Sequence, residues 1–201
     1  MPVPQRIVLA SANPRKAAEL AHILDGAGLG VDLVPRPGDV AEVVEDAPDF
    51  LGNARLKAVA LVAATGLAAL ADDSGLEVDA LDGAPGVRSA RYAGEDASDE
   101  DNVARVLAGL DVAGALDPEA RRARFRCVIV LRRPDGSEVV ADGVVEGTIA
   151  ASPSGVGGFG YDPVFVPDEG DGRTFAQMGP DEKHRISHRG RALRSLVERL
   201  R

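Results

Sequence analysis

The stretch Leu70-Ala71-Asp72-Asp73-Ser74-Gly75-Leu76 decides how this chain is read, because it sets two adjacent carboxylates where the apolar run from Leu67 to Ala71 stops. Acids there are costly without partners. Successive side chains alternate across a strand, so Asp72 and Asp73 are expected to point in opposite directions and to do different work. One can hold a metal while the other handles a water. The sequence predicts that the strand ends here in a Gly-containing turn, and an Asp-Ser-Gly turn that merely bonds its own backbone is the competing structural reading. The rest of the chain favours chemistry.

Upstream, Arg6 to Ala10 is a short apolar run without helical spacing, and Ser11-Ala12-Asn13-Pro14-Arg15-Lys16 follows it. Asn13 reads as an N-cap and Pro14 as the first helical residue. Ala17, Leu20, Ala21, Leu24 and Ala27 then recur at spacings of three and four, which predicts one buried helical face stopped by Gly28. The result is a strand, a phosphate-sized turn and a helix. Val31 to Val34 is a second short strand, and Arg36 to Pro48 is a loop rich in Pro, Gly and acids. Phe50, Ala54, Ala58, Leu61 and Thr65 line a further helix that Gly66 ends, with Asn53 and Lys57 on a shared face.

Downstream, Glu77 to Leu81 is expected to be extended, Gly83 to Gly86 to turn, and Arg88 to Tyr92 to form a basic, polar loop. Ser98, with Asp101 three residues on, caps another helix whose first turn is acidic, as the helix dipole favours. Ala123, Phe125, Cys127, Ile129 and Leu131 alternate with Arg122, Arg124, Arg126 and Arg132, the pattern of a half-buried strand whose arginines are solvated or paired with acids. Pro134 to Ser137 turns that strand back into Glu138 to Val145 as a hairpin. The loop Ser152 to Pro163 holds four glycines, which would let backbone amides approach a ligand while Phe159 offers a stacking face. Lys183, His188 and Arg189 flank Ile186-Ser187, ahead of a helix whose Ala192, Leu193, Leu196, Val197 and Leu200 make a core face.

Composition excludes several classes. The chain has 201 residues, 45% hydrophobic, which suits one compact domain spanning 1–201. The excess of 32 acidic over 23 basic residues, a formal charge of -9, argues against binding nucleic acid or an anionic membrane surface. Any phosphate site must therefore be a local basic cluster. A single cysteine, Cys127, sits in an apolar run, so no intramolecular disulfide is expected and a reducing cytoplasm is the natural compartment. No charged n-region precedes an apolar h-region, and no apolar run reaches about 18 residues.

Taken together, these residues resemble the inosine triphosphate pyrophosphatase family, enzymes that hydrolyse non-standard purine nucleoside triphosphates. The resemblance is carried, in chain order, by Ser11 to Lys16; Glu45 with Phe50, Asn53, Ala54 and Lys57; Ala71 to Leu76; Gly83 to Gly94; Gly157 to Pro163; and Ile186 to Gly190. It implies an α/β fold, an elongated mixed β-sheet flanked by helices forming two lobes with a central cleft, and a homodimer. One departure is Asp46-Ala47-Pro48-Asp49, where the family usually has small and hydroxyl residues.

The resemblance also assigns roles. It makes Asp73 the proton acceptor and, with Glu45, a ligand of Mg²⁺, with Asp72 in support. It places Ser74, Phe159, Gly160, Tyr161, Asp162, Lys183, His188 and Arg189 at the nucleotide, Phe159 stacking on the base, and the turn Ser11, Ala12, Asn13, Pro14, Arg15, Lys16 together with Lys57 offers backbone amides and positive charge to the phosphates. Chemistry agrees, since a triphosphate needs its charge neutralised while a water is oriented and deprotonated. Lys16, Lys57 and Lys183 are the available point charges, and magnesium suits carboxylate and phosphate oxygens. The expected reaction is attack of water on the α-phosphorus of ITP, dITP or XTP, releasing the monophosphate and pyrophosphate. A non-catalytic purine nucleotide sensor is the alternative, although it would not need three converging acids. An HAD-type phosphatase would need Asp-x-Asp where this chain has Ser11-Ala12-Asn13, and no Walker motif occurs.

Overall fold

A computed structural model describes residues 6–10, 20, 21, 24 and 30–201. The Ser11 to Lys16 turn and most of the helix expected after it lie outside the described residues, although Leu20 and Leu24 of its apolar face are buried as expected. The described elements are β1 (Arg6–Leu9), β2 (Asp32–Val34), α1 (Phe50–Thr65), β3 (Ala68–Val78), α2 (Asp99–Val112), β4 (Arg122–Arg132), β5 (Glu138–Ile149), β6 (Phe165–Pro167), α3 (Pro180–Ile186) and α4 (His188–Leu200). The strands form one sheet in the order β2-β1-β3-β4-β5-β6. It is mixed, because β1 runs parallel to β2 and β3 whereas β6 is antiparallel to β5.

The chain groups into two compact units. The first comprises Met1–Asp73, Cys127–Gly143 and Arg189–Arg201. Within it one apolar cluster joins Leu70, Ile129 and Leu131 to Leu193 and Leu196 of α4, and another joins Ala69, Ala71 and Val130 to Ala54, Ala58 and Leu61 of α1. In the first half of β3, Ala68 and Leu70 thus face α4 while Ala69 and Ala71 face α1, the two-residue period of a strand buried on both faces. The second unit comprises Ser74–Arg126 and Val144–His188. Its core gathers Leu76, Phe125, Phe165 and Phe175 with Val103, Val106 and Leu110 of α2.

Local signals explain the element ends. The Asp49 carboxylate accepts from the Gly52 amide at 2.7 Å to start α1, and Gly66 ends it in a left-handed conformation, φ 67°. Ser98 and Asp101 form a reciprocal capping box on α2. The arginines of β4 are paired with acids, Arg122 with Asp168, Arg124 with Asp79 and Glu146, Arg126 with Glu77 and Arg132 with Glu138.

The expected turn after Asp73 is absent. β3 runs on through Ser74 and Gly75 to Val78, because Leu76 and Val78 carry the buried alternation forward and the Leu76 amide donates to Ser89 Oγ at 2.9 Å. Both aspartates therefore sit inside a strand. The expected extension to Leu81 stops at Val78, where a 3₁₀ turn begins, and the loop expected at Arg88 to Tyr92 is largely a 3₁₀ segment, Gly86–Arg91.

Candidate active site

The alternation of β3 gives its two aspartates separate partners. Asp73, on the α1 side, accepts from Asn53 Nδ2 at 3.1 Å through Oδ2 and from Lys57 Nζ at 3.4 Å through Oδ1. Lys57 Nζ also donates to Glu45 Oε2 at 3.0 Å, so one ammonium holds both carboxylates expected to bind metal. Asn53 and Lys57 lie one turn apart on α1, which is why both reach the same carboxylate. Burial disfavours the charged Lys57, but the Asp73 carboxylate, then Asp72 and Glu45, outweigh it and raise its pKa above the usual lysine value. Asn53 Oδ1 accepts from the Ala47 amide at 3.0 Å, fixing the loop next to Glu45 despite its departure from the family pattern.

Asp72, on the opposite side of β3, meets α4. Its Oδ2 lies 3.5 Å from Nε of Arg189, and the two side chains are 2% and 3% exposed. Arg189 was expected at the nucleotide, and the structure ties it to Asp72 in the first turn of α4.

In the second unit, Asp162 organises the glycine loop. Its Oδ2 accepts from Lys183 Nζ at 2.6 Å and from the Phe159 amide at 2.8 Å, and the carboxyl is almost fully buried. Lys183 Nζ lies 5.0 Å from the Phe159 ring centroid and 5.7 Å from that of Phe175. The structure therefore brings Phe159, Asp162 and Lys183 together, with Lys183 as one half of a buried ion pair. His188 stacks on Phe125, centroids 4.7 Å apart and planes at 11°. Ser74 is half-buried on β3.

The glycines of this loop serve a different purpose from the one expected. The Gly157 amide donates to Ala176 O at 2.9 Å and that of Gly160 to Asp99 Oδ2 at 2.8 Å, so these amides, with that of Phe159, are spent inside the protein. Gly158, at φ 74°, sits so close that a Cβ would strike the Asp162 carboxylate, and one at Gly155 would strike the backbone of Ala176. Glycine here permits close packing that presents the Phe159 side chain.

Three further residues hold these groups in place, Asn53, Tyr161 and Asp99. The shared face of Asn53 and Lys57 was a usable signal for the first. Tyr161 was expected at the nucleotide; it is buried, its hydroxyl donates to Ser89 O at 2.8 Å, and burial raises its pKa. Nothing local marks Asp99, because an acid in a first helical turn is explained by the dipole alone.

The donor set suits a hard divalent cation. Glu45 and Asp73 offer carboxylate oxygens around one positive charge, and among the described residues no cluster of three or more His, Cys, Asp or Glu exists. Magnesium takes one or two carboxylates and completes its shell with water and phosphate oxygens, so these two residues fit it.

The chain is thus an α/β protein built on one mixed six-stranded sheet. The Ham1 family profile matches residues 7–199, and the chain belongs to that family. It is 48% identical over 198 residues to the dITP/XTP pyrophosphatase of Streptomyces coelicolor, covering 98% of this chain and 97% of that one. It is likewise 48% identical to the dITP/XTP pyrophosphatase of Geobacter sulfurreducens, covering 97% of this chain and 96% of that one. Among solved structures, a HAM1 protein from Coxiella burnetii superposes with a TM-score of 0.88 at 43% identity, covering 97% of this chain and 98% of that one. The nucleoside-triphosphatase, or dITP/XTP pyrophosphatase, of Mycobacterium abscessus superposes with a TM-score of 0.77 at 47% identity, covering 98% of this chain and 100% of that one.

Proposed function

We propose that this protein is a hydrolase of non-standard purine nucleoside triphosphates, ITP, dITP and XTP, which it converts to the monophosphate and pyrophosphate. The observation that carries this reading is the Asp73 carboxylate held between Asn53 and Lys57, with Glu45 on the same ammonium. Fixed at both oxygens, Asp73 is oriented to accept the proton of a water whose oxygen attacks the α-phosphorus while the bond to the departing pyrophosphate breaks. Glu45 and Asp73 would hold Mg²⁺, which would supply positive charge against the phosphates. Lys57 sets one positive charge against both carboxylates and contributes it to the phosphates. Lys16 and the Ser11 to Lys16 turn are assigned to the phosphates for their positive charge and backbone amides. Phe159 stacks on the base, with Gly160, Tyr161, Asp162, Lys183, Ser74, His188 and Arg189 shaping its surroundings.

The relatives carry enzyme names and lend no support to a non-catalytic sensor. The family profile extends through both compact units, which supports reading 1–201 as one catalytic domain. Cytoplasmic residence is supported by a sequence whose single cysteine, Cys127, is buried, and no described helix is long and apolar enough to cross a membrane. The homodimer rests on resemblance, and light scattering tests it. The decisive experiment incubates the protein with ITP, dITP, XTP, GTP and ATP, with Mg²⁺ and with EDTA, and identifies products by mass spectrometry. Monophosphate and pyrophosphate from the first three, with Mg²⁺ only, are expected. Release of orthophosphate, or intact nucleotide throughout, refutes the reading.

A further inference from the structure

We propose that Asp99 is a positioning residue for the base-stacking loop, fixing the Gly160 amide and through it the plane of the Phe159 ring. The proposal rests on the role given to Phe159 above. The N-terminus of α2 does not need the Asp99 carboxylate, because Ser98 Oγ accepts from the Asp101 amide at 3.1 Å and Asp101 Oδ2 accepts from the Ser98 amide at 3.0 Å. Asp99 instead reaches a residue remote in sequence, its Oδ2 accepting from the Gly160 amide at 2.8 Å. A charged acceptor makes this a stronger bond than a neutral one would be.

Gly160 is where the loop turns, at φ 61°, between the stacking ring of Phe159 and the buried Tyr161. Its neighbours are pinned as well, Phe159 through its amide to Asp162 of the same loop and Tyr161 through its hydroxyl to Ser89 O. Ser89 is tied in turn to Gly86 O and to the Leu76 amide of β3. Three consecutive residues are thus held from three directions. Asp162 and Tyr161 are buried, whereas Asp99 lies on the surface, so its anchor can be removed while the core stays intact. Without it the Phe159 ring samples more orientations, and ordering it on binding costs affinity. The groups around Asp73 are untouched, so the loss falls on KM and not on kcat.

The test uses the full chain as wild type, Asp99→Ala, Asp99→Asn and Glu100→Ala. Hydrogen exchange over residues 157–162 should accelerate at least fivefold in Asp99→Ala and remain near wild type in Asp99→Asn, whose amide oxygen still accepts from Gly160. In the same variants with Mg²⁺, KM for dITP should rise about three- to tenfold in Asp99→Ala with kcat within twofold, and return to within twofold in Asp99→Asn. Glu100→Ala removes a like charge from the same turn and should leave both readouts unchanged. Unaltered exchange in Asp99→Ala, or an equal effect in Glu100→Ala, overturns the proposal. Failure of the wild type to hydrolyse dITP would refute the proposed activity, and the exchange comparison would still decide the role of Asp99.

Discussion

Asp72 and Asp73 are neighbours in the chain but are held by different helices, Asp72 by Arg189 at the start of α4 and Asp73 by Asn53 and Lys57 of α1. The separation follows from strand geometry, since consecutive side chains leave β3 on opposite faces. Each partner also sets a different chemistry. The guanidinium beside Asp72 forms a buried charge pair with it, whereas the amide and ammonium at Asp73 orient a carboxylate at both oxygens.

Substitution should therefore separate the two acids. Asp73→Asn is nearly isosteric but cannot take a proton from water, so kcat should fall about 10²- to 10⁴-fold while the fold persists. Asp72→Asn removes the charge facing Arg189, and its main effect should be a loss of stability on the order of 1–3 kcal/mol. Denaturant melts and turnover of both variants check this. If Asp73→Asn stays within threefold of wild type, or if Asp72→Asn loses more activity, the assignment is reversed.

Asn53 should behave as an orienting group. Its amide joins Asp73 to the Ala47 backbone within a fully buried position. Asn53→Ala frees the carboxylate to rotate, and because small misplacements of a reacting group are costly, kcat should drop about 10- to 100-fold. Asn53→Asp sets a negative charge against Asp73 and should be worse than alanine. Equal activity of the two variants would show that the amide acts only as filler.

Much of this arrangement was legible in the sequence, and the misses share a cause. The helical face of α1, its Gly66 stop, the Ser98 cap and the alternation of β4 from Arg122 to Arg126 are local patterns, and the structure contains each, whereas Cys127 to Leu131 are buried on both faces. Glu45, Lys57 and Asp73 do come together. The turn expected after Asp73 does not form, because the Ser89 hydroxyl satisfies the Leu76 amide and β3 stays extended through Ser74-Gly75. In the glycine loop the amides of Gly157 and Gly160 turn inward for a similar reason. Its amides are taken by Asp99, Asp162 and Ala176, acceptors that no local pattern reveals.

The Lys57 ammonium gives a pH test with a definite sign. Its pKa is raised from 10.5 by Asp73, Asp72 and Glu45 against the burial that opposes charge, so protonation stabilises the folded state. That contribution is complete below the unfolded value and is lost as pH rises through the folded one. The stability difference between wild type and Lys57→Met should be level from about pH 7 to 9.5 and narrow above about pH 10.5. A difference that narrows already between pH 7 and 9 would mean that Lys57 is not held by these acids.

Selectivity should separate Arg189 from Phe159. Hypoxanthine and xanthine carry a 6-keto oxygen that adenine lacks, and a site built to hydrogen-bond a substrate group can reject an analogue without it by about 10⁴-fold. Arg189 is a rigid donor, nearly fully buried and oriented through Nε by Asp72, whereas the half-buried Phe159 ring offers any purine the same face. Phe159→Ala should therefore weaken ITP and ATP alike and leave their kcat/KM ratio within about threefold of wild type. Arg189→Ala should lower ITP hydrolysis more than ATP hydrolysis, shrinking the ratio by about 10²-fold, the usual cost of one preorganised donor. Arg189→Lys keeps the charge but loses the planar fork, and should recover stability without recovering the ratio. Measuring kcat/KM for both nucleotides in all three variants decides the matter. An unchanged ratio in Arg189→Ala would move base recognition to another donor, with His188 the next to test.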